Sequence, residues 1–194
     1  MGRIFCIMGK SASGKDTLYR EILLRCPGLH TNVMYTTRPK RAGETDGKAY
    51  FFVTEEQLSR YETEGKLIEK RVYQTVSGPW IYATVDDGQI DLSRGDYLVP
   101  GTLASYLKLR EYFGTEHLTP LYIEIDDGER LMRALQREMK EKTPNYRELC
   151  RRFLADAEDF SEENLREAGI VKRYNNHDLE SCLNELCGEI CRKA

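Results

Sequence analysis

Tryptophan occurs once, histidine three times and proline six times in this chain of 194 residues. The chain also lacks an apolar run approaching the ~20 residues needed to cross a bilayer, so no membrane partner is expected. None of its six cysteines forms a C-x-x-C pair, and no cysteine and histidine group has zinc-finger spacing. Reduced thiols acting as small hydrophobes are expected, with Cys182 and Cys187 on the apolar face of a C-terminal helix beside Leu179, Leu183, Leu186 and Ile190. His30, His117 and His177 are scattered and fit neither a triad nor a metal site. The net charge of -3 offers no global attraction to nucleic acid or anionic lipid, so any anion site must be a local cluster. There is no internal repeat and no low-complexity tract. The start Met1-Gly2-Arg3-Ile4 runs straight into an expected strand, without the apolar segment of a signal peptide, and a cytoplasmic location is expected.

What is present is an alternation of strands and helices. Hydrophobic residues make up 40% and charged residues 31%, enough for one well-buried core. Arg3 to Met8 reads as a buried strand, followed by a glycine-bearing loop and a helix from Lys15 to Leu24 that stops near Cys26-Pro27-Gly28. Val33 to Thr37 is a second short strand. Residues 35–85 then break the rhythm with turns, the aromatic strand Tyr50 to Val53, a helix near Glu55 to Glu64 and further strands through Tyr82. Beyond Asp86 the alternation resumes: a strand at Asp96 to Val99, a helix at Leu103 to Tyr112 and a strand at Pro120 to Ile125. Gly128 to Lys140 is amphipathic through Leu131, Ala134, Leu135 and Met139. A polar break at Lys142 to Asn145, another helix, a last strand at Ile170 to Tyr174 and a terminal helix capped by Asp178 complete the chain. Strands separated by helices imply an α/β fold, with a parallel sheet core flanked by helices.

Gly9-Lys10-Ser11-Ala12-Ser13-Gly14-Lys15-Asp16-Thr17 carries the chemistry of a phosphate loop. Its glycines let backbone N–H groups converge on phosphate oxygens, Lys15 neutralises the β and γ phosphates, and the following helix aims its positive end at the same place. Gly9, Ser11, Ala12, Ser13, Gly14, Lys15, Asp16 and Thr17 are accordingly expected to bind ATP as phosphoryl donor. Asp16 stands where a serine or threonine normally supplies a hydroxyl to Mg²⁺, and is the candidate metal ligand, directly or through water.

From Tyr35 the sequence runs YTTRPKRAGETDGKAYFFVTEEQLSRYETEGKLIEK. It resembles the guanylate kinase family, whose pattern is T-T-R-x-x-R-x-G-E-x-x-G-x-x-Y-x-F-V, a helix, then F-I-E. The likeness implies a P-loop kinase fold with core residues 1–34 and 86–194, a small mixed α/β nucleotide-binding insertion at 35–85 and a short helical lid at 138–147. It implies that Arg38, Arg41 and Tyr50 grip the phosphate of GMP and that Glu69 accepts from the N1 and N2 edge of guanine. It further implies a phosphate contact from Tyr82 and a base contact from Thr84. Arg38, Lys40 and Arg41 alone would read as a solvated basic turn; their order and spacing with Tyr50 and Glu69 reverse that reading.

By the same resemblance Arg137 and Arg152 are the catalytic lid arginines with Lys15, and Asn176 contacts the adenine of ATP. The expected reaction is phosphorylation of GMP or dGMP by ATP with Mg²⁺, small nucleotides being the only partners of a monomer or homodimer. The family's guanine-reading serine aligns with Met34, and its acidic D-I-D stretch is replaced by Leu98-Val99-Pro100-Gly101-Thr102, leaving Asp86, Asp87 or Asp126 to stand in. The opening residues with Asp16, and the Leu98–Thr102 stretch, also resemble ribose 1,5-bisphosphate phosphokinase, the alternative acceptor reading. A non-catalytic guanylate kinase-like binding module is the third.

Overall fold

The structure, a computed structural model, describes residues 1–41, 43–75 and 78–192. Its strands, numbered in chain order, fall into two four-stranded sheets. The first is parallel and centred on β1 (Ile4–Met8), whose five side chains are all buried. β6 (Tyr97–Pro100) pairs with one edge of β1 and β7 (Leu118–Glu124) with the other, and β8 (Arg173–Asn175) lies beyond β7.

Successive side chains of a strand point to opposite faces, and a parallel sheet must be covered on both. Phe5 and Ile7 of β1 meet Leu18 and Ile22 of α1 (Lys15–Arg25) and Leu183 and Leu186 of α7 (Leu179–Ile190). Ile4, Cys6 and Met8 meet Tyr106 and Leu109 of α3 (Leu103–Phe113) and Leu165 of α6 (Glu162–Glu167). Of the terminal helix's expected apolar face, Cys182, Leu183, Leu186 and Ile190 are buried and Leu179 is exposed. The six cysteines are all free thiols.

The second sheet has the order β3-β2-β5-β4, built from β2 (Tyr35–Thr36), β3 (Phe51–Phe52), β4 (Leu67–Thr75) and β5 (Gly78–Val85). Leu58 of α2 (Glu55–Thr63) packs with Tyr35, Ala83 and Val85 on one face. A register shift between Leu67 and Glu69 turns Ile68 into the main core, which ties the two sheets together. That bulge leaves Glu69 and Arg71 on the face opposite α2, across from Thr84 and Tyr82.

Three expectations are corrected. The strand from Val33 shrinks to Tyr35–Thr36, because the side chain of Gln89 bonds both the N–H and the carbonyl of Val33. The last strand starts at Arg173 rather than Ile170, which is buried in the core next to the short helix α6 that the sequence pattern did not predict. The third concerns α4 (Asp127–Glu138), where Leu131, Leu135 and the following Met139 are 39%, 41% and 63% exposed, so only Ala134 of the expected stripe is buried. This helix turns Arg130 inward instead, onto Phe153 of α5 (Tyr146–Asp159), with the guanidinium 3.8 Å from the ring centroid.

Leu183→Ala should cost about 2–5 kcal/mol in urea unfolding, because a fully buried leucine leaves a cavity. Leu24→Ala, on a side chain 74% exposed, should shift stability by less than about 0.5 kcal/mol.

Candidate nucleotide-binding site

The loop between β1 and α1 is held by its backbone. Gly14 caps α1 at φ 86° without any side-chain cap, so the first N–H groups of the helix keep no intramolecular acceptor from a capping side chain. Ala12, at φ 65°, is the only non-glycine residue with positive φ among the described residues. Asn176, just past β8, is 2% exposed and donates its amide to the Ser13 carbonyl at 2.7 Å. A Cβ on Gly14 would lie 2.2 Å from that amide nitrogen, so only glycine fits. The expected adenine contact of Asn176 is therefore corrected: its side chain is committed to bracing the loop from within.

Three buried polar atoms beside this loop, Ser13 Oγ, Arg130 Nη2 and Asn176 Oδ1, have no hydrogen-bond partner among the described residues. Ser13 and Arg130 line a cavity of about 400 Å³ together with Lys10, Asp126, Asp127 and Asn175. Ser11 donates its backbone N–H to Asp156 Oδ2 at 2.8 Å, and Arg130 bridges Asp156 and Asp127 at 3.3 and 2.9 Å. The Asp127 carboxyl, drawn below its usual range by Arg130 and Lys10 against the opposing effect of burial, also pairs with Lys10 at 3.3 Å. Arg130, Lys10 and Asp156 were not among the residues expected from sequence. An arginine within an apolar helical period was the available signal.

Of the lid residues, Arg137 and Arg152 are both exposed and line one small cleft with Ser11, Arg130 and Phe153. Arg152 lies 3.6 Å from Glu148, which Arg151 holds more closely at 2.7 Å. Lys15 pairs with the adjacent Asp16, whose side chain is 89% exposed. Asp16 and Thr17, on the first turn of α1, offer the oxygen donors a hard divalent cation takes. Among the described residues no group of three or more acidic, histidine or cysteine side chains is preformed for a metal.

The second cluster lies on β2–β5. Arg38 is 3% exposed, forks onto Glu44 at 2.7 and 3.0 Å, and lies 5.4 Å from the Tyr50 ring centroid. Tyr82 stacks edge-on against both Tyr50 and Tyr73 at 5.6 Å. Arg41 is exposed and gives its backbone N–H to the same Glu44. The sequence-derived group Arg38, Arg41, Tyr50 and Tyr82 is thus brought to one place. Glu69 is 5% exposed and accepts from Arg71 at 3.1 and 3.3 Å and from the Thr84 hydroxyl at 3.0 Å. The Thr84 hydroxyl thus supports Glu69 with its proton, and its oxygen lone pairs remain for the expected base contact.

Cys6 of β1 feels charges from both clusters. Burial raises the Cys6 thiol to about 12, and the charges of Arg71, Glu69 and Lys15 all act on it. Asp86, Asp87 and Asp126, candidates to replace the missing acidic stretch, are otherwise engaged: Asp86 accepts from Tyr112, Asp87 from Tyr35, and Asp126 caps α4. In place of that stretch, Gly101 approaches β1 so closely that an added Cβ would meet Cys6 Sγ at 2.9 Å.

Asn176→Ala strands the buried Ser13 carbonyl and should lower stability by about 1–3 kcal/mol in urea unfolding. The Glu44 carboxyl is held at about 2, chiefly by the Arg38 side chain and also by the Arg41 backbone N–H. A depressed carboxyl stabilises the fold above its unfolded value and loses that contribution as pH falls toward the folded one. The stability gap between the wild type and Glu44→Gln should therefore be fullest above about pH 5 and close toward pH 2, as read by urea unfolding across that range.

Comparison with known proteins gives a consistent result. Residues 1–86 match the family model described as guanylate kinase. Guanylate kinase of Thermotoga maritima is 43% identical over 68 residues, covering 35% of this chain and 33% of that protein. That of Gloeobacter violaceus is 38% identical over 73 residues, covering 38% and 36%. The matched stretch thus spans about a third of the length of these curated relatives. The crystal structure of guanylate kinase from Anaplasma phagocytophilum superposes with a TM-score of 0.64 at 21% identity, covering 97% of this chain and 84% of that one. The family match takes in both the glycine-bearing loop and the Arg38–Thr84 block, and the fold shared with that guanylate kinase structure runs over nearly the whole chain.

Proposed function

We propose that this protein transfers the γ-phosphoryl group of ATP to GMP or dGMP. The observation that supports the proposal is a pair of clusters suited to anions, the glycine-bearing loop with Lys15 and the group Arg38, Arg41, Tyr50 and Tyr82. Lys15 of the first, and Arg71 and Glu69 beside the second, are all near enough for their charges to act on Cys6. An oxygen of the acceptor phosphate attacks the γ-phosphorus as the bond to the β–γ bridging oxygen breaks, leaving ADP. No protein nucleophile is needed, and the protein's task is to position two anions and neutralise charge.

Residues 35–85 serve as the acceptor-binding insertion and 138–147 as the lid in this reading. The Ser13 hydroxyl and the free Nη2 of Arg130, with Lys10, suit the donor phosphates. Asp156 sits on the Ser11 amide where a phosphate oxygen would bind, so donor binding exchanges this carboxylate for phosphate and loosens α5. That release lets Arg137 and Arg152 close over the γ-phosphate and exclude water. Mg²⁺, held by Asp16 and the phosphates, would supply charge neutralisation for the transferring group.

The relatives reported above are guanylate kinases, which favours a nucleotide acceptor over a sugar bisphosphate. A purely protein-binding module would not need the Gly14–Asn176 geometry that keeps the phosphate loop open.

Lys15→Ala should lower kcat by about 10²–10³-fold with both substrates saturating. Arg41→Ala should instead raise the KM for GMP about 10–100-fold, the usual effect of one charge-assisted hydrogen bond. Steady-state kinetics separates the two effects, and an unchanged rate in the Lys15 variant would remove the kinase assignment.

A further inference from the structure

Strand β4 carries a basic residue to which no substrate contact has yet been given. Arg71 lies opposite Tyr82 in the β4–β5 ladder, two residues beyond Glu69, which lies opposite Thr84. Its side chain is 18% exposed while that of Glu69 is 2% exposed, so the guanidinium forms the accessible side of a buried pair. Nε bonds Glu69 Oε2 at 3.1 Å, and Nη2 bonds Oε1 at 3.3 Å and approaches Met34 Sδ at 3.7 Å. An arginine carries five N–H donors. The two on Nη1 have no partner among the described residues.

We infer that Arg71 is a specificity-determining residue that donates to the carbonyl edge of guanine, beside Glu69 accepting from its N1 and N2 groups. The inference rests on the GMP reading and deepens it. A guanine edge offers one carbonyl acceptor next to two N–H donors, and a carboxylate joined to a guanidinium presents the complementary set. Arginine paired with the O6 acceptor of guanine is a common and discriminating contact. Met34, whose thioether is only a weak acceptor, cannot supply that donor. Adenine would set its N6 amino donor against Arg71 and offer Glu69 no N1–H. Both charged groups would then be desolvated without partners, which is how a polar site rejects a near neighbour. Because Arg71 is already anchored to Glu69, its orientation is fixed before the base arrives.

The test compares the wild type with Arg71→Met and Arg71→Lys. Dissociation constants for GMP are measured by calorimetry and those for AMP by competition against it, with the KM for ATP as control. Arg71→Met should weaken GMP by at least about tenfold and AMP by less than about threefold, so that the GMP preference falls, while the KM for ATP stays unchanged. Arg71→Lys should recover part of the preference. If Arg71→Met melts early, Arg71→Gln, whose shorter side chain keeps an amide donor, should give a GMP preference below that of the wild type but not abolished, and an unchanged preference there overturns the inference. Equal weakening of GMP and AMP, or an unchanged preference, overturns the inference and leaves the GMP reading standing. A wild type that binds neither nucleotide, or does not phosphorylate GMP, overturns the reading and this inference together.

Discussion

The hydrogen bond from the buried Asn176 amide to the Ser13 carbonyl is the contact on which the donor side depends. It joins the turn after β8 to the loop after β1, 163 residues apart in sequence. By satisfying the loop's inward carbonyl it leaves Gly14 in a left-handed conformation, and the N-terminus of α1 faces outward without a side-chain cap. Backbone donors and the helix dipole are thereby kept for an anion. Any side chain at Gly14 would collide with the brace that makes this possible.

Around that point the fold distributes charge in pairs. Arg38 with Glu44, Arg71 with Glu69, and Arg130 with Asp127 and Asp156 each hold a guanidinium at low exposure against a carboxylate. A buried charge without such a partner would be costly, so the pairing lets a site for two polyanions persist in the absence of substrate. In the proposed reading, substrate phosphates take over donors of Arg38 and Arg130, while Arg71 stays on Glu69 and meets the base. The Asp156 contact is the exception, because it ties helix α5 directly to the Ser11 amide.

The phosphate loop, the core strands and the grouping of Arg38, Arg41, Tyr50 and Tyr82 were legible because they rest on local chemistry: glycines at a turn, alternating burial, and arginines at short spacing. Asn176 was misread because its role depends on a contact with Ser13 across the sheet, invisible to spacing. The α4 stripe was misread because helical periodicity says which residues share a face, not which face turns inward. There an arginine stacked on Phe153 and bound to two carboxylates outcompeted Leu131 and Leu135 for the interior. Arg71 carried no signal of its own, since a single basic residue in a strand ordinarily points to water. Strand alternation puts it on the same face as Glu69, but only the fold shows that this face is the buried one.

The account turns on the identity of the acceptor. An ADP-release assay with ATP and Mg²⁺, run in parallel on GMP, dGMP, AMP, UMP and ribose 1,5-bisphosphate, addresses it most directly. The account predicts turnover on GMP and dGMP well above the other acceptors. Turnover of ribose 1,5-bisphosphate with none on GMP would contradict it.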